Sequence, residues 1–96
     1  MSWLVVLRPV RAEMPFEPTA DESRAVSEHF VYLQRLRDEG KLVLAGPSPV
    51  APGDTIGIAV YDVEDEAEVR AIMDADPAIT SGVMSAELRP FRLSIR

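Results

Sequence analysis

The chain contains one histidine, His29, and no cysteine. Imidazole is the side chain that ordinarily exchanges protons near neutral pH, so His29 is the first residue to weigh for acid–base chemistry. It falls on the stripe Val26, His29, Phe30, Leu33 and Leu36, whose spacing by three and four marks the buried face of a helix. A buried neutral imidazole still needs hydrogen-bond partners. Two readings stand side by side: a packed histidine satisfied by a backbone carbonyl, and a general acid or base at the mouth of a pocket between helix and sheet.

A histidine used for proton transfer is ordinarily oriented by a carboxylate that also stabilises its charged form. Asp38 lies on the same predicted helix, but nine positions on, which places it on the opposite side and more than two turns away. Asp76 is the better candidate, because it follows a second predicted helix that must lie beside the first. Asp76-Pro77 is also a common helix-ending turn, since the residue before proline is pushed out of the helical region. Gly46-Pro47 ends a predicted strand where a glycine permits close approach by a ligand or another backbone, although a plain turn is the stronger explanation.

Other chemistries find little support. One histidine without cysteine leaves only carboxylates and carbonyls for a metal, so no tight zinc or copper site is expected. Ser27, Ser48, Ser81 and Ser85 sit in no nucleophile-elbow sequence. No glycine-rich phosphate loop is present, and no cofactor is expected.

The elements that must position these residues follow from the patterning. Trp3 to Leu7 reads as a strand stopped by Pro9, and residues Arg8 to Pro18 read as a proline-rich loop. Thr19 and Glu22 form a capping box that opens a helix running to about Glu39, with Gly40 as its left-handed stop. Lys41 to Ala45 and Thr55 to Tyr61 read as a hairpin across the Pro52-Gly53-Asp54 turn. Asp65 and Glu68 cap a second helix that ends near Asp74 and buries Val69, Ile72 and Met73. Met84 to Ile95 reads as the last strand, with Pro90 arguing for an edge or a bulge.

The order β-α-β-β-α-β folds, by the right-handed crossover rule, into a ferredoxin-like α+β domain over residues 1–96: a four-stranded antiparallel sheet with both helices on one face. In the first strand Trp3, Val5 and Leu7 alternate with Leu4 and Val6, and in the third Ile56, Ile58 and Val60 alternate with Ala59 and Tyr61. A one-sided antiparallel sheet alternates apolar with polar residues instead. The helix-free face therefore needs a cover, and a second copy of the chain packed sheet to sheet is the simplest one.

Composition sets the remaining bounds. Sixteen acidic against ten basic residues give a net charge of −6, which makes nucleic acid and anionic membrane surfaces poor partners. No apolar run reaches the roughly 20 residues of a membrane span, and the start of the chain lacks the basic region and length of a signal peptide. A cysteine-free chain suits the reducing cytoplasm.

Taken together, the stretch from His29 through Gly40-Lys41-Leu42 to Ala45-Gly46-Pro47, then Asp74-Ala75-Asp76-Pro77, Gly82-Val83 and Glu87-Leu88-Arg89-Pro90-Phe91, resembles the YciI-like (YCII-related) family. The resemblance spans nearly the whole chain, while the proline-rich segment before the first helix is this sequence's own. It implies a dimeric α/β barrel, and an active-site pair of histidine and aspartate whose matching positions are His29 and Asp76. Some relatives act on ring-derived substrates in dehalogenation or lactone chemistry, which needs no cofactor. Three functions follow as expectations. The first is an acid–base enzyme with His29 and Asp76 as catalytic residues and Gly46 and Pro47 lining the pocket of a small-molecule ligand. The second is a small-molecule binding or regulatory module using the same pocket without turnover. The third is a cofactor-free monooxygenase.

Overall fold

The computed structural model describes residues 2–96. Strand β1 (Ser2–Pro9) leads through a turn-rich segment to helix α1 (Ala20–Asp38). Strands β2 (Leu42–Ser48) and β3 (Ile56–Asp62) follow, then helix α2 (Glu66–Asp74), a single-turn helix α3 (Pro77–Thr80) and strand β4 (Met84–Phe91). The strands form one antiparallel sheet in the order β2-β3-β1-β4, the ferredoxin-like arrangement expected from the sequence.

The capping signals act as predicted. The Thr19 hydroxyl accepts the Glu22 backbone N–H at 3.1 Å, and the Glu22 carboxylate accepts the Thr19 N–H at 2.8 Å. Gly40 follows the end of α1 at φ 78°, a conformation that a residue with a Cβ adopts only at a cost. The Asp65 side chain accepts the Glu68 N–H at 2.9 Å and starts α2.

Strand ends, one additional helix and one helix face differ from expectation. β2 does not stop at Ala45 but runs on through Gly46 and Pro47 to Ser48. As an edge strand it tolerates a proline, whose missing N–H need not serve an interior ladder. β4 ends at Phe91 and not at Ile95, and Arg96 beyond it bonds to the Asp62 carboxylate at 2.9 Å. Pro90 does lie on an edge strand. Asp76 opens α3, an element the sequence reading lacked. The buried face of α1 is Glu22, Ala25, His29, Tyr32, Leu33 and Leu36. Phe30, expected within it, is 49 % exposed, because its flank of the helix overhangs open space instead of the sheet.

Alternation in the strands sends Trp3, Val5 and Leu7 of β1, with Ala59 and Tyr61 of β3, against Leu33, Leu36, Val69 and Ile72 of the helices. Val5 pairs with Ala59 at the centre of this core, and both are essentially inaccessible. The opposite face carries the pairs Leu4 with Val60 and Val6 with Ile58, and no helix lies over it. Val6 and Val60 are buried there and Leu4 and Ile58 half-buried. Arg8, Glu87 and Arg89 flank them as a chain of ion pairs, with Arg8 3.1 Å and Arg89 2.8 Å from the Glu87 carboxylate. Among the described residues no helix is long and apolar enough to cross a membrane.

Candidate active site

His29 lies near the middle of α1, with Ala25 and Leu33 one turn to either side along the buried face. Its imidazole Nδ1 is 2.7 Å from Oδ1 of Asp76, a residue 47 positions away in sequence. Both side chains are buried, His29 at 5 % and Asp76 at 2 % exposure. Asp76 also forms the turn that the Asp76-Pro77 dipeptide predicts. It terminates α2, and as the N-cap of α3 its Oδ1 accepts the Ala78 N–H at 2.9 Å. Two bonds to one oxygen hold the carboxylate against His29.

A carboxylate accepts and does not donate, so the proton in the His29–Asp76 bond belongs to Nδ1. That assignment leaves Nε2 as the lone-pair nitrogen of a neutral ring. His29 also lines a cleft of about 540 Å³ between α1 on one side and β2 and β3 on the other. Asp76 does not line it; it stands behind the histidine, with α3. The site is thus layered: cleft, imidazole, carboxylate, helix cap.

Gly46 and Pro47 both line the cleft from β2. A register shift lets Val43 and Leu44 together oppose Val60, and the extra residue turns Ala45 and Pro47 to the helix side of the sheet. Gly46 has open space where a Cβ would stand, so nothing crowds the backbone there. Of the four residues expected at the site, His29, Gly46 and Pro47 border one cavity, and Asp76 reaches it through His29.

The proline-rich segment, set apart in the sequence as this chain's own, forms a wall of the cleft whose residues sequence reasoning did not name. Met14, Pro15 and Pro18 line the cleft at the end where α1 begins, and Met14 is almost fully buried. Arg11 pins this strap: its guanidinium donates two bonds to the Glu22 carboxylate, at 2.7 and 3.1 Å, and one to the Glu17 carbonyl at 2.6 Å. The Arg11 bonds, then the Thr19 N–H, hold the Glu22 carboxyl down at a pKa of about 2. The signal was in the sequence, since Glu22 was already identified as a capping residue, but nothing local pointed from it to Arg11.

Two tyrosines were also missed. Tyr32 OH donates to the Ile72 carbonyl at 2.7 Å and ties α1 to α2 beside the histidine. Burial first, and then the Asp76 carboxylate nearby, push the Tyr32 and Tyr61 phenols above their ordinary range. Both stay neutral around the site.

A family model described as the YCII-related domain matches residues 1–92. Protein YciI of Escherichia coli O6:H1 is 35 % identical over 72 residues, which is 67 % of this chain and 74 % of that protein. Protein YciI of Shigella flexneri matches with the same identity and coverage. Among solved structures, 5-chloro-2-hydroxyhydroquinone dehydrochlorinase from Burkholderia phenoliruptrix, in complex with 2,5-dihydroxybenzoquinone, superposes with a TM-score of 0.67. That alignment covers 96 % of this chain and 94 % of the other at 19 % identity, so it is a likeness of fold. With nearly its whole length matched by the domain model and a curated relative alongside, this chain belongs to the YCII-related family.

Proposed function

We propose that this protein is an enzyme that carries out acid–base chemistry on a small organic molecule without a cofactor, with His29 as the proton-transferring residue and Asp76 as its orienting partner. The observation that carries this reading is the 2.7 Å Nδ1–Oδ1 contact of two buried side chains, one of which borders the cleft. In this mechanism Nε2 of the neutral imidazole takes a proton from a substrate seated in the cleft. The imidazolium that results is stabilised by Asp76 through the same hydrogen bond, and it returns the proton to a leaving or rearranged group. Gly46 and Pro47 form part of the pocket wall.

The dehydrochlorinase of like fold suggests the first substrate to try. Loss of hydrogen chloride removes one proton and one chloride, and a histidine base serves the proton side of that reaction. Incubation with 5-chloro-2-hydroxyhydroquinone, with chloride release as the readout, tests the reading when wild type is compared with His29→Ala and Asp76→Asn. Chloride release by wild type that both variants lose supports it. Equal release by all three removes His29 and Asp76 from the mechanism. Ligand-dependent stabilisation without product from this or related ring substrates would favour the binding-module alternative.

The proposal includes a homodimer formed through the helix-free face, because Leu4, Val6, Ile58 and Val60 form an apolar surface there with no helix above it. It also places the protein in the cytoplasm, which suits an acidic chain free of cysteine.

A further inference from the structure

The cleft is long and its charges are uneven. Along α1 its wall is a stripe at helical spacing, Val26, Phe30, Leu33 and Arg37, facing β2 from Leu42 to Pro47. From Ser23, the first α1 residue on the cleft, to Arg37 is fourteen residues, or about 21 Å at the rise of an α-helix. The Met14–Pro18 strap borders one end, and Gln34 and Arg37 border the other. Most of the lining between them is apolar.

The chain carries sixteen acidic residues, yet no aspartate or glutamate is among the described residues that line this cleft. Besides His29, the one ionisable side chain on it is Arg37. Arg37 is otherwise bonded to its exposed sequence neighbour Asp38 at 3.1 Å, a surface pair that holds the guanidinium only weakly. A cleft of this kind repels nothing negative and offers a planar, two-pronged donor to a carboxylate. Gln34, three residues before Arg37, supplies a further amide donor on the same stripe.

We propose, building on the reading of His29 as the proton-transferring residue, that the cleft is built for an elongated organic acid. Its carboxylate is held by Arg37 and Gln34, its apolar body lies along Phe30, Leu33 and Ala45, and its reacting carbon sits at His29. Eight residues separate His29 from Arg37, so the anionic group and the reacting centre are about 12 Å apart along the helix axis. Arg37 is a binding and positioning residue in this scheme, and His29 alone does the chemistry. The class excludes cations as preferred ligands, because no carboxylate among the described lining residues pairs them.

The test is calorimetric titration of the intact protein with octanoate, decanoate and dodecanoate, set against decan-1-ol and decylamine. Wild type binds decanoate at least about tenfold tighter than decan-1-ol and does not bind decylamine. Arg37→Ala loses that preference while keeping its affinity for decan-1-ol, and Arg37→Lys restores part of it. His29→Ala retains decanoate binding, since the carboxylate is held elsewhere. Equal affinity for acid and alcohol, an Arg37→Ala variant with unchanged preference, or no binding of any of the chains overturns the assignment. None of these results bears on the His29 tautomer, which a ¹⁵N–¹H correlation of the imidazole reads independently.

Discussion

Oδ1 of Asp76 accepts two hydrogen bonds at once, from the His29 imidazole Nδ1 at 2.7 Å and from the Ala78 backbone N–H at 2.9 Å. The cap of a four-residue helix thus fixes the height and direction of a catalytic candidate on another element. Because Asp76 is nearly inaccessible, neither bond is exchanged readily for water.

Asp76→Asn separates orientation from charge. The asparagine Oδ1 can keep both accepted bonds, from Nδ1–H and from the Ala78 N–H, while the negative charge that stabilises the imidazolium is lost and the fold is kept. Turnover is expected to fall by about 10²–10⁴-fold with little change in KM, the range usual for loss of a positioned acid–base group. Steady-state kinetics checks it; a variant with wild-type kcat would show that the Asp76 charge is irrelevant.

Asp76→Ala is expected to do more damage to stability than Asp76→Asn. It leaves both the Ala78 N–H and Nδ1 of His29 without partners in a buried place, at about 1–3 kcal/mol for each unsatisfied group. Denaturant unfolding should show that order, and the reverse order would mean that water reaches the pair.

Much of this arrangement was legible in the sequence, but unevenly. Local rules found Thr19 with Glu22, Asp65 with Glu68, and Gly40, because caps and left-handed stops are settled within a few residues. Strand alternation found the two sides of β1 and β3, and the placing of the second helix beside the first, joined by the family resemblance, pointed to Asp76. The strap was not legible: Arg11 meets Glu22 only because the chain doubles back between them, and nothing periodic encodes that return. Phe30 was misplaced because a stripe spaced by three and four shows which flank is apolar and not whether sheet or cavity lies beneath it.

The Arg11–Glu22 clasp should show itself in acid. Glu22 is held below its ordinary 4.5, at about 2, so its charged pairing contributes stability that is fully present above about pH 4.5 and is lost as pH falls through about 2. Glu22→Gln removes that contribution. The melting temperature of wild type should exceed that of Glu22→Gln at pH 6, with the gap closing between pH 4.5 and 2. A gap that stays constant across that window would mean the clasp contributes nothing through charge.

Tyr32→Phe deletes the bond to the Ile72 carbonyl and little else. The Ile72 carbonyl keeps the Ala75 N–H, so one buried hydrogen bond is lost with no orphaned acceptor, and stability should fall by about 0.5–1.5 kcal/mol. Thermal unfolding measures it, and an unchanged melting temperature would show that the α1–α2 contact rests on apolar packing alone.

Leu4→Arg places a charge in the middle of the helix-free face, opposite Val60. If that face joins two copies, light scattering gives a dimer for wild type and a folded monomer for the variant. A monomeric wild type at micromolar concentration contradicts the dimer.

The protonation state of His29 is the most direct test of the acid–base reading, and the chain's single histidine makes it unambiguous. In a long-range ¹⁵N–¹H nuclear magnetic resonance correlation of uniformly labelled protein, followed through pH, the neutral ring should carry its proton on Nδ1. On acidification Nε2 should become the nitrogen that gains one, and in Asp76→Asn, whose Oδ1 can still accept from Nδ1–H, the neutral ring should keep its proton on Nδ1. A wild-type ring protonated on Nε2, with Nδ1 bare, would contradict the bond on which the site is built.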